Sequence, residues 1–143
     1  MKQEFYTHSA EETRTLAAAI AAETPGGSVF ALDGNLGAGK TVFASGFAAG
    51  LGIAEPVSSP TFTIVQEYPC AGGMFFHLDL YRIDNPEAAL AFGIEEFLYD
   101  PGAIALVEWP ERIDGLFPSN TIRVTIERTG REETRKITIE KPD

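Results

Sequence analysis

Residues 34 to 41, GNLGAGKT, constrain this chain more than any other stretch. They stand between an apolar run, VFALD, and a run with helical spacing, VFASGFAAGL. Every fixed position of G-x-x-x-x-G-K-[ST] is met. Glycines permit backbone angles that turn successive N–H groups inward as a nest for phosphate oxygens. The helix that follows aims the positive end of its dipole at the same oxygens. In such a loop the lysine, Lys40, reaches the β- and γ-phosphates, and the hydroxyl of Thr41 ligates Mg²⁺. A chance lysine in a glycine-rich turn would not also have a strand before it and a helix after it. Gly34, Asn35, Leu36, Gly37, Ala38, Gly39, Lys40 and Thr41 are therefore expected to hold a nucleoside triphosphate or its diphosphate. That alone names no reaction.

The rest of the chain reads as strands and helices around this loop. Gln3 to His8 reads as a short first strand. Ser9 and Glu12 make a capping box that opens a helix from about Ala10 to Glu23, ended by Pro25-Gly26-Gly27. Ser28 to Asp33 is a buried strand, and the helix after the loop runs to about Leu51. Phe62 to Tyr68 and Met74 to Asp79 read as strands joined through Ala71-Gly72-Gly73. Asn85-Pro86-Glu87 starts a helix, with Asn at the cap, Pro in the first position and an acid in the first turn. Ala103 to Glu108 (AIALVE) is a strand buried on both faces. Thr121 to Glu127 alternates apolar with polar residues, and Ile137 and Ile139 do so again after a turn near Gly130, which predicts an antiparallel hairpin. Helices alternating with strands before a late hairpin predict a three-layer α/β fold of the P-loop NTPase type. Its sheet is mixed and mostly parallel, within a single domain of residues 1–143.

A phosphate loop of this kind needs an acid for the Mg²⁺ shell and a group that positions the attacking water. Such acids end apolar strands, where the carboxyl edge of the sheet faces the ligand crevice. Asp79, after MFFHL, and Glu108, after AIALV, both qualify. Glu108 follows the more continuously apolar run and is favoured for Mg²⁺, which leaves Asp79 to orient water or to complete the outer shell of the metal. His77, inside its strand, reads as structural. The segment Ser58-Ser59-Pro60-Thr61 is either a plain turn or a switch loop in which a hydroxyl of Ser59 or Thr61 senses the γ-phosphate through Mg²⁺.

Composition narrows the function further. With 11 basic residues against 21 acidic ones the net charge is −10, so unaided binding to nucleic acid is not expected. The one basic concentration, Arg128, Arg131, Arg135 and Lys136, is interrupted by Glu132 and Glu133. It reads as a solvated hairpin or, alternatively, as a small docking patch. The longest helical apolar run, Leu16 to Ala22, is too short to span a bilayer. No basic end followed by an apolar core opens the sequence. The single cysteine, Cys70, can form no internal disulfide, which fits a reducing cytoplasm. None of the asparagines begins N-K-x-D, which weighs against a guanine-specific GTPase. Arg82 and Arg112 alone among the arginines lie near the expected crevice, and no lid insertion rich in arginine is visible.

Five blocks resemble one family, the TsaE proteins. They are GNLGAGKT, SPTFTIVQEY, FHLDLYRI, PEAALAFGIEEFL and LVEWPERI, in family order over about residues 9 to 115. HLDLYR and VEWPE are more specific than the phosphate loop; the last 28 residues match only as a generic hairpin. The resemblance implies a bacterial ATPase of tRNA threonylcarbamoyladenosine synthesis. It would act with TsaD and TsaB, which attach threonylcarbamoyl beside the anticodon, and its ATP cycle would support their turnover. By position, Thr41 and Glu108 match Mg²⁺ ligands, and Leu36 to Thr41 match phosphate contacts. Asp79 matches an acid needed for hydrolysis. Ala10 matches the region near adenine, and Trp109 a residue close to the nucleotide. Lys40, Asp79 and Glu108 are thus the expected catalytic set, with ATP or ADP and Mg²⁺ as cofactors. The rivals are a small-molecule or nucleoside kinase, and a nucleotide-binding scaffold that does not hydrolyse.

Overall fold

The computed structural model describes residues 1–35, 37–56 and 64–142. In chain order the elements are β1 (Lys2–Thr7), α1 (Ala10–Ala22), β2 (Val29–Asp33), α2 (Lys40–Gly50), β3 (Val65–Cys70) and β4 (Gly73–Asp79). They continue with α3 (Pro86–Phe92), α4 (Ile94–Leu98), β5 (Ala103–Glu108), a 3₁₀ turn (Pro110–Ile113), β6 (Ile122–Arg128) and β7 (Arg135–Glu140). The strands form one sheet in the order β1-β7-β6-β2-β5-β4-β3. The four central strands, β6, β2, β5 and β4, run parallel. Antiparallel partners finish each side, β3 on one and the β6–β7 hairpin with β1 on the other. The expected mixed sheet with a C-terminal hairpin is present, its parallel part confined to the centre.

Local chemistry accounts for the helix ends. Ser9 Oγ accepts from Glu12 N–H at 3.1 Å, while Glu12 reaches back to His8 N–H at 2.8 Å, one residue before the cap. Asn85 Oδ1 accepts from Ala88 N–H at 2.9 Å to open α3. Gly93, left-handed with φ 93°, ends α3 and starts α4, so the segment after Asn85 is two short helices rather than one. β3 begins later than the sequence pattern suggests and runs on through Pro69. Proline is tolerated there because β3 is an edge strand. The residues 62–63 assigned to that strand from sequence lie outside the described residues.

Alternation along the strands sorts the core into two layers. Phe75 of β4 and Ile104 and Leu106 of β5 face α1 and α2, whereas Phe76, Leu78, Ala103, Ala105 and Val107 face α3, α4 and the 3₁₀ turn. The α2 layer is anchored by aromatics: Phe47 packs on Phe30 at 4.9 Å between centroids and on Phe75 at 5.7 Å. These contacts hold the start of α2, and with it the phosphate loop, against the centre of the sheet. At the outer edge, Lys136 of β7 pairs with Glu4 of β1 at 2.9 Å, and its ammonium holds the Glu4 carboxyl below the usual range. Among the described residues, no helix is long and apolar enough to cross a membrane.

The α1–α2 crossing depends on two glycines one turn apart. A methyl on Gly46 would lie 2.6 Å from Arg14 Cα, and one on Gly50 2.7 Å from Ala18 Cα. Backbone meets backbone at both points, so no side chain can swing aside. Gly46→Ala is therefore expected to destabilise, even though alanine favours a helix by roughly 0.5–1 kcal/mol over glycine. Overpacking of about 1–3 kcal/mol wins, and the melting temperature should fall by about 5 °C. A calorimetric scan showing the variant at or above the wild-type melting temperature would contradict this reading of the crossing.

Candidate active site

The loop between β2 and α2 occupies the carboxyl edge of the sheet. Gly37 (φ 78°) and Gly39 (φ 108°) take left-handed angles that only glycine adopts without strain, and Gly39 is the cap of α2. Inside the loop, Ala38 N–H donates to Asn35 O at 3.0 Å, and Gly34 N–H donates to the Asp33 carboxylate at 2.8 Å. Thr41 sits exposed in the first turn of α2. Leu36, which the sequence assigns to the phosphate contacts, and the switch candidates Ser59 and Thr61 lie outside the described residues.

Lys40 is the first residue of α2 and is only 7 % exposed. Its Nζ lies 3.9 Å from the centroid of the Trp109 ring. A cation so deeply placed needs a partner, and a ring face supplies one worth about 0.5–2 kcal/mol. Trp109 is held there by an unusual backbone. With φ 59° and ψ 52° it is the one non-glycine residue with positive φ among those described. That conformation costs an L-residue roughly 1–2 kcal/mol. It breaks β5 directly after Glu108 and turns the chain into Pro110. Tyr81 backs the indole at 5.0 Å, and the Arg112 guanidinium lies 5.9 Å from the Tyr81 ring.

The two strand-end acids are neighbours. In the parallel β4–β5 register Asp79 stands opposite Glu108, so the two side chains share one face of the sheet. That face is the one covered by α2. Asp79 is half-buried and accepts from Tyr81 N–H at 3.0 Å. Glu108 is 3 % exposed, and its Oε2 accepts from His77 Nε2 at 2.6 Å. His77 itself is fully buried. Its Nδ1 has no partner among the described residues. Sequence reading classed His77 as structural without giving it a role. The signal was partial: a residue two before Asp79 shares its face, and only the β4–β5 pairing turns that face to Glu108.

Ala10, at the start of α1, also reaches the loop. With Thr13, Gly39 and the hairpin residues Arg128, Glu132, Glu133 and Arg135 it lines a cleft of about 310 Å³ that carries both signs of charge. Asp79, Glu108 and Trp109 do not line it. The loop thus has acids and the tryptophan on one side and a cleft on the other.

The basic cluster lies on an exposed hairpin, as expected, but two of its arginines also reach the loop. Arg128 donates to Gly37 O from Nε at 3.2 Å and from a terminal nitrogen at 3.0 Å. Arg135 Nε donates to Ala38 O at 2.9 Å. Both guanidinium groups are spent on loop carbonyls. The partners lie 91 and 97 residues away, beyond the reach of any local pattern.

Comparison with known proteins gives the family. The family model described as threonylcarbamoyl adenosine biosynthesis protein TsaE matches residues 7–137. The chain belongs to the TsaE family. It is 42% identical over 139 residues to the tRNA threonylcarbamoyladenosine biosynthesis protein TsaE of Bacillus subtilis, covering 96% of this chain and 85% of that protein. The Treponema pallidum TsaE protein is 35% identical over 134 residues, covering 93% of this chain and 96% of its own length. The crystal structure of Bacillus subtilis YdiB superposes with a TM-score of 0.85 at 35% identity, over all of this chain and 87% of that one. The TsaE match spans the phosphate loop, both acids and Trp109.

Among the described residues, no group of three or more His, Cys, Asp or Glu side chains could hold a metal ion by itself. The oxygens of Thr41 and Glu108 nonetheless suit a hard cation such as Mg²⁺, which normally takes one or two carboxylates and completes its shell with phosphate and water. Removing the imidazole should expose what the buried Glu108 owes to it. His77→Leu leaves the carboxylate without its donor and should cost about 1–3 kcal/mol, a fall of roughly 2–10 °C in melting temperature. His77→Gln keeps a donor and should lose less. Equal melting of His77→Leu and wild type would mean that the bond adds nothing.

Proposed function

We propose that this TsaE-family chain binds ATP at residues 34–41 and hydrolyses it slowly with Mg²⁺. In this reading it is a cytoplasmic subunit that supports turnover of TsaD and TsaB in threonylcarbamoyladenosine modification of tRNA. The observation that carries the reading is the convergence at one sheet edge of Lys40 and the in-register acids Asp79 and Glu108 on the phosphate loop.

The divided surroundings suggest how the nucleotide lies. Its base and ribose enter the cleft beside Ala10, and its phosphates cross the loop toward Lys40. Gly37 and Gly39 offer backbone N–H groups, and Lys40 exchanges the face of Trp109 for phosphate oxygens. A charge-assisted bond to phosphate is stronger than contact with a ring, so the ring can hold the ammonium without blocking the site. Mg²⁺, when bound, supplies charge neutralisation between the β- and γ-phosphates. Thr41 and Glu108 would hold it, with His77 fixing the orientation of the Glu108 carboxyl. Asp79, half-buried beside Glu108, orients the attacking water. A kinase reading would need a second substrate to accept the phosphoryl group. Release of phosphate from ATP without any acceptor separates hydrolysis from kinase chemistry.

Binding and turnover in four proteins test the site. Lys40→Ala should lose more than tenfold in turnover, about 1.4 kcal/mol of barrier. Glu108→Ala should lose Mg²⁺-dependent nucleotide binding, whereas Asp79→Ala should keep binding and lose turnover. Wild-type rates in Lys40→Ala would remove the loop from the chemistry. Retained Mg²⁺ dependence in Glu108→Ala together with its loss in Asp79→Ala would exchange the two roles.

With Arg128 and Arg135 engaged on loop carbonyls, this reading assigns no arginine finger to the chain and looks to a partner for one. P-loop enzymes without one are slower by a factor on the order of 10³ to 10⁵. Turnover should therefore rise when TsaD and TsaB are added, and calorimetry should show tighter association in an ATP analogue than in ADP. Equal affinity in the two nucleotide states would eliminate coupling between the nucleotide and docking.

A further inference from the structure

A phosphate nest turns its N–H groups inward, so its carbonyls face outward and need partners of their own. Here the partners come from the C-terminal hairpin. Arg128, the last residue of β6, takes Gly37 O with two nitrogens, and Arg135, the first of β7, takes Ala38 O. The two arginines stand opposite each other in the hairpin register, so one rigid element delivers both. The fit is close. A Cβ on Gly37 would lie 2.9 Å from the Arg128 guanidinium, and one on Gly34 would lie 2.8 Å from Ile126 O of the same strand. The loop is thus backed by β6 and β7 at Gly34, Gly37 and Ala38, on the side away from the proposed phosphates.

We propose that Arg128 and Arg135 are positioning residues that hold the phosphate loop in its binding shape before nucleotide arrives, so that the C-terminal hairpin sets nucleotide affinity. A loop that is already ordered spares the ligand the entropy of ordering it. Bonds from a guanidinium to a carbonyl are charge-assisted and outlast neutral ones. They also polarise the peptides they touch. The Gly37–Ala38 peptide, loaded on its oxygen by Arg128, donates its N–H to Asn35 O and closes the turn inside the loop. The Ala38–Gly39 peptide, loaded by Arg135, becomes a better donor toward the nest.

The proposal rests on the nucleotide reading above, and two measurements keep the two apart. One is the dissociation constant of ADP without Mg²⁺, by calorimetry, for the full chain and for Arg128→Ala and Arg135→Ala. The other is amide hydrogen exchange at residues 37–41 with no nucleotide present. Each alanine variant should bind ADP about tenfold or more weakly, the scale of one charge-assisted bond, and should exchange faster at the loop. Unchanged affinity in both variants overturns the proposal. So does weaker binding with unchanged loop exchange, because both arginines line the cleft and would then be touching the ligand instead. Should either alanine variant fail to fold, Arg128→Lys and Arg135→Lys keep the charge and the stem and lose the fork. Those variants should still weaken ADP about threefold or more, since lysine cannot replace a guanidinium fork. A wild-type chain that binds no ADP would remove the nucleotide reading, while loop exchange would still decide whether the arginines order the loop.

Discussion

The candidate site depends on one constraint: β2 is paired in parallel on both sides, to β5 and to β6. Parallel neighbours end at the same edge of a sheet. The loop that leaves β2 therefore emerges between whatever leaves β5 and whatever leaves β6. On one side that is Glu108 and the left-handed turn at Trp109; on the other it is Arg128 and the hairpin. Neither flank could be exchanged for an antiparallel strand without sending its last residues to the far edge. The acid side and the basic side of the loop are thus consequences of strand order rather than of separate local designs.

Strand order also explains what could be read from the sequence. The glycines and Lys40 announce the loop because the backbone angles and the charge they need are local. The alternation of β4 and β5 gives the faces of Asp79 and Glu108 because strand geometry has a period of two. That the two acids are in register depends on β4 and β5 being neighbours, which no stretch of either strand states. The same holds for His77: its face was legible, its partner 31 residues away was not. The loop contacts of the hairpin arginines were hidden for a stronger version of the same reason. Four basic residues broken by two acids look like an ordinary solvated turn, and only the placement of β6 beside β2 turns two of them onto the loop. The divided helix after Asn85 is a smaller case, since Gly93 supplied a visible left-handed stop within a continuous apolar pattern.

Packing transmits this order to the loop. α2 begins inside the loop and is buried along its length, through Phe43 and Phe47 against the sheet and through Gly46 and Gly50 against α1. A helix fixed on two sides cannot shift along its axis without breaking contacts on both. The N-terminal turn, which carries Lys40 and Thr41, is therefore anchored through the helix axis. The carbonyl side of the loop is anchored separately, by the hairpin. Two independent supports, one hydrophobic and one polar, meet at a segment whose own glycines give it little stiffness.

The net charge of −10 bears differently on a small anion and on a polyanion. Beyond about 8–10 Å exposed charges are screened at ordinary ionic strength, so the acidic surface does little to a ligand already seated in the loop. What a seated phosphate meets is Lys40 and the helix terminus, with Arg128 and Arg135 just behind. A folded RNA, in contrast, gains affinity only by releasing many counterions at once, which takes many free cations on one face. Four of the 11 cations of this chain already have partners within it. Lys40 lies on an indole, Arg128 and Arg135 are spent on loop carbonyls, and Lys136 is paired with Glu4. The same contacts that organise the loop thus draw down the limited store of positive charge. The acidic balance of the chain therefore does not oppose the proposed phosphate chemistry.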